Sequence, residues 1–364
     1  MAKKRVVIGM SGGVDSAVSA YLLKQQGYEV IGLFMNNWKE TGNNDVCTSE
    51  SDYADVRRVC ALVDIPYYSV DLSNDYWDKV FEQFLSEYRA GRTPNPDVLC
   101  NKEIKFGAFW EQARKMGADY IATGHYCGIV KKDGHTYLRR AVDENKCQTY
   151  FLNQVSEEQI ENVIFPLADM LKPDVRILAE EIGLVNANKK DSTGVCFIGE
   201  RNFRKFLTQY IPMKEGDIKD LNGNVLGKHK GVFFYTLGQH KGFGLGGVKG
   251  RTNNDSWFII KKDVENNILY VNCGETEDLY SKYLTCKDFN FITEKIANGT
   301  RVLVRIRHRQ PLQDATFIVN EDNSYTIKFD NKQRAIVAGQ YCVAYIDKIC
   351  IGGGVIETAT YCIK

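Results

Sequence analysis

The stretch Ser11-Gly12-Gly13-Val14-Asp15-Ser16 decides the fold. The run before it, Arg5-Val6-Val7-Ile8-Gly9-Met10, reads as a buried strand. After it, Ala17, Val18, Tyr21 and Leu22 recur at helical spacing, and Gly27 stands where a helix C-cap glycine would. The stretch is therefore the turn between a first strand and a first helix. Its two glycines let the backbone approach a ligand, and the helix N-terminus offers unpaired N–H groups and partial positive charge. That combination is an anion site, most naturally for phosphate. Ser11 and Ser16 add hydroxyl hydrogen bonds. Asp15 repels phosphate, so it either caps the helix or holds a magnesium ion. The ordinary P-loop, Gly-x-x-x-x-Gly-Lys-Ser/Thr, is absent.

Strands and helices alternate onward from this turn. Glu29–Met35 reads as a second buried strand, and a polar loop from Asn36 to Ser49 leads to a helix carrying Ala54, Val59, Cys60 and Val63. Tyr67–Leu72 reads as a third strand. Trp77, Val80, Phe81, Phe84, Leu85 and Tyr88 form a wide apolar helix face closed by Gly91. Asp119–His125 reads as a strand running into a loop. This alternation predicts an α/β fold, a Rossmann-like parallel sheet covered on both faces. Ligands of such sheets bind beyond the carboxyl ends of the strands, where the Ser11 turn, Met35 and Gly124-His125 all fall.

The bulk numbers set limits. A chain of 364 residues predicts two or three domains. No run of 18 apolar residues suggests a membrane span, and the run after Lys3-Lys4-Arg5 is too short for a signal peptide. Eleven cysteines without paired spacing and without Cys-x-x-Cys predict free thiols in a reducing, cytoplasmic setting and argue against a zinc ribbon; no metal-ligand cluster is expected. A net charge of +1 means that any nucleic-acid site is a local patch.

Two cysteines stand in segments with other polar groups. In Arg92-Thr93-Pro94-Asn95-Pro96-Asp97-Val98-Leu99-Cys100-Asn101 the two prolines predict a stiff loop presenting Asn95, Asp97 and Cys100. A structural turn ending in a buried cysteine fits equally well. In Lys189–Glu200, Cys196 follows two lysines, and nearby cations favour the thiolate. An inert Cys196 between apolar neighbours is the alternative.

The pattern changes near Pro212. Short strands and glycine-rich turns follow, with a hairpin signal at Asp220–Asn224, loops at 235–242 and 244–250, and strand candidates at 256–261 and 268–272. From about Tyr280 short strands predict a small barrel. In Arg301–Arg309, alternation puts Val302, Val304 and Ile306 inward. It puts Arg305, Arg307 and Arg309 outward, about 7 Å apart, near the phosphate spacing of a nucleic-acid strand. The expected domains are 1–208, a catalytic α/β domain; 209–279, a small β-rich domain; and 280–364, a barrel that contacts RNA.

With these pieces in place the chain resembles the tRNA-specific 2-thiouridylases of the bacterial MnmA type, within the ATP-pyrophosphatase (PP-loop) superfamily. The resemblance rests on Gly9–Ser16, Gly32-Leu33-Phe34-Met35, Thr93–Cys100, Ala122-Thr123-Gly124-His125, Asp191–Gly199 and Thr236-Leu237-Gly238-Gln239. It implies transfer of sulfur to C2 of the wobble uridine (U34) of glutamate, lysine and glutamine tRNAs. It implies ATP, with magnesium, held by Gly9, Met10, Ser11, Gly12, Gly13, Val14, Asp15, Ser16, Met35 and Gly124. Asn95, Pro96 and Asp97 would meet the target base, with Asp97 as general acid or base. Cys196 would carry sulfur as a persulfide received from a cysteine desulfurase or relay protein. Cys100 would attack either the activated uridine or the persulfide, and the resemblance implies a disulfide between Cys100 and Cys196. The implied tRNA contacts are His125, Lys146, Cys147, Gln148, Arg307, His308 and Gln340. Cys147 stands where the family usually has Asp, so a carboxylate role does not carry over.

Three alternatives stay open on sequence. An amide-forming PP-loop ligase would use the same turn without Cys100, Cys196 or an RNA face. A non-catalytic RNA- or nucleotide-binding module would produce no AMP. A thiolase could instead hold an iron–sulfur cluster on Cys100, Cys196 and a third ligand such as Asp97.

Overall fold

The computed structural model describes residues 3–38, 48–191, 203–245 and 256–359. Cys196 and the rest of 192–202 lie outside them.

The first unit is the expected parallel sheet. Its strands are β1 (Arg5–Met10), β2 (Glu29–Asn36), β3 (Tyr67–Asp71), β4 (Tyr120–Ala122) and, after the hairpin β5 (Cys127–Lys132) and β6 (His135–Arg140), β7 (Val163–Ile164). They run parallel in the order β3-β2-β1-β4-β7. Alternation along β1 feeds two cores. Val6, Ile8 and Met10 pack with α1 (Val14–Gln25) and α2 (Thr48–Val63), while Val7 faces the helices that follow β3. Those helices are α3 (73–89) and α4 (96–115), each containing a wide π-helical stretch, Trp77–Phe81 and Cys100–Ala108. The predicted apolar face of α3 is buried at Val80, Phe81, Phe84, Leu85 and Tyr88. A further helix, α5 (Lys172–Glu181), lies against α1.

The segment with two prolines departs from the expected loop. Pro96 occupies the first turn of a helix, where its missing N–H costs nothing, and Asn95 caps that helix by accepting from the Asp97 N–H at 3.2 Å. The prolines thus forbid a helix interior but start one, and Cys100 lies on α4.

A four-stranded middle sheet follows, with β8 (Gly216–Lys219), β9 (Val225–His229), β10 (Trp257–Asp263) and β11 (Ile268–Cys273) in the order β10-β11-β8-β9. The last unit is an antiparallel barrel of β12 (Tyr280–Phe291), β13 (Arg301–Arg305), β14 (Gln313–Val319), β15 (Tyr325–Arg334), β16 (Tyr341–Ile346) and β17 (Ile349–Ala359). Pairing of β12 with β17 closes it. The β5–β6 hairpin, inside the first expected domain, joins this sheet through Arg139 and Ile349. Tyr341, Val343 and Tyr345 of the barrel enter the same core as α3 and α4.

The expected arginine face does not form as a continuous strand. Val302, Val304 and Ile306 are buried as predicted, but β13 ends at Arg305, and Arg305 is only 6% exposed. The chain turns at 306–310, so only Arg307 and Arg309 reach the surface.

Among the described residues, no helix is long and apolar enough to cross a membrane.

Candidate active site

The carboxyl ends of β1, β2 and β4 meet at the turn 11–16. Gly13 occupies the N-cap of α1 and supplies no side-chain acceptor, which leaves first-turn amides for a ligand or water. Ser11 and Ser16 brace the turn: the Ser11 N–H donates to Ser16 Oγ at 3.2 Å, and Ser16 Oγ donates to the Gly13 carbonyl at 3.1 Å. Gly12 has φ +74°, and a Cβ there would lie 2.7 Å from the Asp52 carbonyl oxygen. A Cβ on Gly124 would lie 2.8 Å from the Ser16 nitrogen. Both glycines are required for the backbones to approach this closely. Met35 is buried, with its methyl group against Gly9.

Asp15 neither caps α1 nor stands open. Its carboxylate accepts from Lys172 Nζ at 2.6 and 2.8 Å and from the Tyr126 hydroxyl at 2.9 Å. Lys172, with an 8% exposed side chain, also pairs with Asp191 at 2.9 Å. Asp191 further accepts from Lys146 at 2.6 Å and Arg176 at 3.0 Å. Burial would raise the Asp191 pKa, but hydrogen bonds from Lys146 and Lys172 overcome it and hold the carboxyl at about 2. The other side of the turn is held by Lys189, which donates to the Gly12 carbonyl at 3.2 Å and to Asp52 and Asp55, each at 2.7 Å. The turn is therefore flanked by Lys172, Lys146 and Lys189, each ion-paired with a carboxylate.

The helix that holds Cys100, α4, reaches the same place. Phe109 of α4 packs on Gly9, and Phe106 lies 6.0 Å from the ring of His125. Cys100 itself is fully buried, while Asn95 and Asp97 are half-buried. A cleft of about 180 Å³ opens beside Asn95 and Pro96, with Gln83, Arg92 and Gly339 among its walls.

The expected RNA contacts divide into surface and interior groups. Arg307 is exposed and donates to the Ala335 carbonyl at 2.5 Å. His308 is half-buried with its ring 4.3 Å from Phe151, and its Nε2 lies 3.3 Å from the Cys147 carbonyl oxygen. Lys146 is committed to Asp191, and Gln148 accepts from the Tyr126 N–H at 2.9 Å. Gln340 donates to the Thr93 carbonyl at 2.8 Å. His125 is buried between Phe106 and Phe165; burial, and then the charge of Lys105, push its pKa well below the usual imidazole value. The Cys147 side chain is buried against Thr149.

Sequence reasoning missed Lys172, Tyr126 and Asn186. Asn186 donates to the Gly12 carbonyl at 3.0 Å. Each reaches the turn from more than a hundred residues away, and none sits in a spacing that marks it.

A parallel sheet with a serine–glycine anion turn at its central strand, followed by a β sheet domain and a closed barrel, defines an ATP-pyrophosphatase-type protein with two β domains. Residues 4–200 match the model described as the tRNA methyl transferase HUP domain. Residues 204–273 match the tRNA methyl transferase PRC-barrel domain, and 281–356 the aminomethyltransferase beta-barrel domain. The chain is 52% identical over 355 residues to the tRNA-specific 2-thiouridylase MnmA of Alkaliphilus oremlandii, covering 97% of each. It is 52% identical to the proteins of the same name from Staphylococcus haemolyticus and Listeria innocua, covering 97% of this chain and 95% of theirs. The chain belongs to the tRNA-specific 2-thiouridylase family. Among solved structures it overlaps a 4-thiouridine synthetase–RNA complex with bound ATP at 16% identity and TM-score 0.34, over 57% of this chain and 50% of that one.

Proposed function

We propose that this protein replaces the C2 oxygen of the tRNA wobble uridine (U34) with sulfur, in glutamate, lysine and glutamine tRNAs, at the expense of ATP. The observation that carries the reading is the packing of the Cys100 helix, through Phe109, on Gly9 of the strand that feeds the phosphate turn. One chemistry then uses both features. The uridine C2 oxygen attacks the α-phosphorus and pyrophosphate leaves, its charge stabilised by the first-turn amides of α1. The terminal sulfur of a Cys196 persulfide, supplied by a desulfurase or relay protein, attacks C2, and AMP leaves with the former uridine oxygen. Cys100 thiolate attacks the inner sulfur, which frees the thiocarbonyl product and forms a Cys100–Cys196 disulfide. An external thiol supplies the two electrons that reset it. Asp97 exchanges protons near the base, and Asn95 and Pro96 hold it.

Among the described residues, no group of three His, Cys, Asp or Glu side chains could hold a metal, and Asp15 is committed to Lys172 and Tyr126. These residues offer magnesium no site of their own, so any magnesium would be carried by the nucleotide.

The test is purified protein with ATP, tRNA and a persulfide donor, together with mass spectrometry of tRNA nucleosides from cells lacking the protein. Expected are tRNA-dependent AMP, 2-thiouridine in vitro and its loss in the cells. AMP formation driven by a small amine and indifferent to tRNA would make the protein a ligase. No AMP at all would make it a binding module.

A further inference from the structure

Thr93 is where three parts of the chain meet. Its N–H donates to the Ala338 carbonyl at 2.9 Å, and its carbonyl accepts from Gln340 Nε2 at 2.8 Å. Its hydroxyl lies 3.4 Å from that of Thr236. Ala338 and Gln340 belong to the strap between β15 and β16 of the barrel; Thr236 opens the turn 236–239 of the middle domain. Both partners are tightly fixed. Gly339 has φ +90°, and a Cβ there would lie 2.9 Å from Arg92 Cβ and from the Thr93 nitrogen. Gly238 has φ +77°, and its Cβ would lie 2.6 Å from that of Ala335. Gln239 Oε1 accepts from the Thr236 N–H at 3.1 Å and closes the turn.

From Thr93 to Cys100 there is little slack. Pro94 and Pro96 fix φ at two of the next three residues, Asn95 caps the helix, and Pro96 and Val98 are buried. Whatever sets the height of Thr93 therefore sets the first turn of α4. The strap also begins at Ala335, whose carbonyl takes the Arg307 guanidinium on the barrel surface.

We infer that Thr93 is a positioning residue for the Asn95–Cys100 segment, held by the barrel strap 335–340 and the middle-domain turn 236–239. This rests on the reading that Cys100 takes part in thiolation. The β domains then do more than bind RNA: they fix the segment that meets the base, and one end of the strap lies under an RNA-contact candidate.

The test combines three readouts on full-length protein: single-turnover thiolation of bound tRNA, tRNA affinity, and amide hydrogen exchange of residues 95–108. In Gly339→Ala, thiolation should slow by about tenfold or more, since small misplacements are costly, while tRNA affinity stays within about twofold. Exchange of 95–108 should speed up. Thr93→Val and Thr236→Val keep the backbone contacts and guard against a variant that does not fold. Each should slow thiolation by about two- to threefold, as loss of one weak hydrogen bond would. The double variant should be no slower than either single one, because both remove the same contact. Parental rate and exchange in folded Gly339→Ala would overturn the inference. So would a rate loss matched by lost tRNA affinity, or additive threonine effects. If the parent protein makes no 2-thiouridine, the functional reading falls instead, and the exchange data still decide whether the junction positions 95–108.

Discussion

Gly124 and Asp15 carry separate consequences at the level of single residues. A methyl group on Gly124 would strike the backbone of Asp15 and Ser16. Gly124→Ala should therefore lower tRNA-dependent AMP formation by about a hundredfold, with tRNA affinity unchanged. Product assays and filter binding check the two halves. Lost tRNA binding with intact AMP formation would detach the turn from ATP. Asp15→Ala should act in the same direction, because it leaves Lys172 to Asp191 and the Tyr126 hydroxyl without its acceptor. His125 makes a different prediction. Its folded pKa lies well below 6.5, so as pH falls below the unfolded value the unfolded chain binds a proton that the folded chain refuses. Stability should fall by up to about 1.4 kcal/mol per pH unit in that window. His125→Gln should remove this share of the slope, measured as denaturant midpoints from pH 7 to 5; an unchanged slope would mean the imidazole is charged in place. The turn was legible in sequence because its glycines, hydroxyls and flanking apolar runs are local. Lys172 was not, since its partner Asp15 lies 157 residues away and ion pairs leave no periodicity.

At the scale of elements, two readings met competing physics. Prolines punctuated 94–96 as expected, but the N-terminal first turn is the helical position that accepts them, so the loop became the start of α4. The strand through Arg305 obeyed alternation at Val302 and Val304, yet the turn after it carried Arg307 and Arg309 away from Arg305. A strand's end is a tertiary matter that alternation does not encode. The consequence is testable by splitting the arginines. Arg307→Ala with Arg309→Ala should weaken tRNA binding and reduce the slope of log affinity against log salt by roughly 1.4 to 1.8, the release expected for two phosphate contacts. Arg305→Ala should leave that slope alone and lower thermal stability, because it empties a buried position in the barrel wall. A parental salt slope in the double variant would return Arg307 and Arg309 to a solvated surface.

Across the whole molecule, the domain succession was readable from changes of periodicity, but the sharing of elements was not. The β5–β6 hairpin leaves the α/β unit to join β17, and barrel tyrosines enter the core of α3 and α4. The assembly matters because the proposed chemistry needs two cysteines from segments far apart in the chain. Cys100 is fixed at the base of α4, buried, whereas Cys196 lies outside the described residues. Their roles separate by what each variant still does. Cys196→Ala should adenylate tRNA and accept no labelled sulfur from a desulfurase. Cys100→Ala should adenylate and load sulfur on Cys196, yet release little 2-thiouridine. If Cys100 attacks uridine first, its variant should also lose any covalent enzyme–tRNA species. Wild-type protein after one turnover without reductant should hold the Cys100–Cys196 disulfide, read by peptide mapping. Alanine at Cys60, Cys127, Cys286, Cys342 or Cys350 should keep most thiolation, because none of these cysteines stands in the Thr93–Cys100 or Asp191–Gly199 segments on which the resemblance rests. Near-parental thiolation in both Cys100→Ala and Cys196→Ala would end the persulfide scheme. An iron–sulfur absorption band in anaerobically purified protein, lost with Cys100→Ala, would replace it with cluster chemistry.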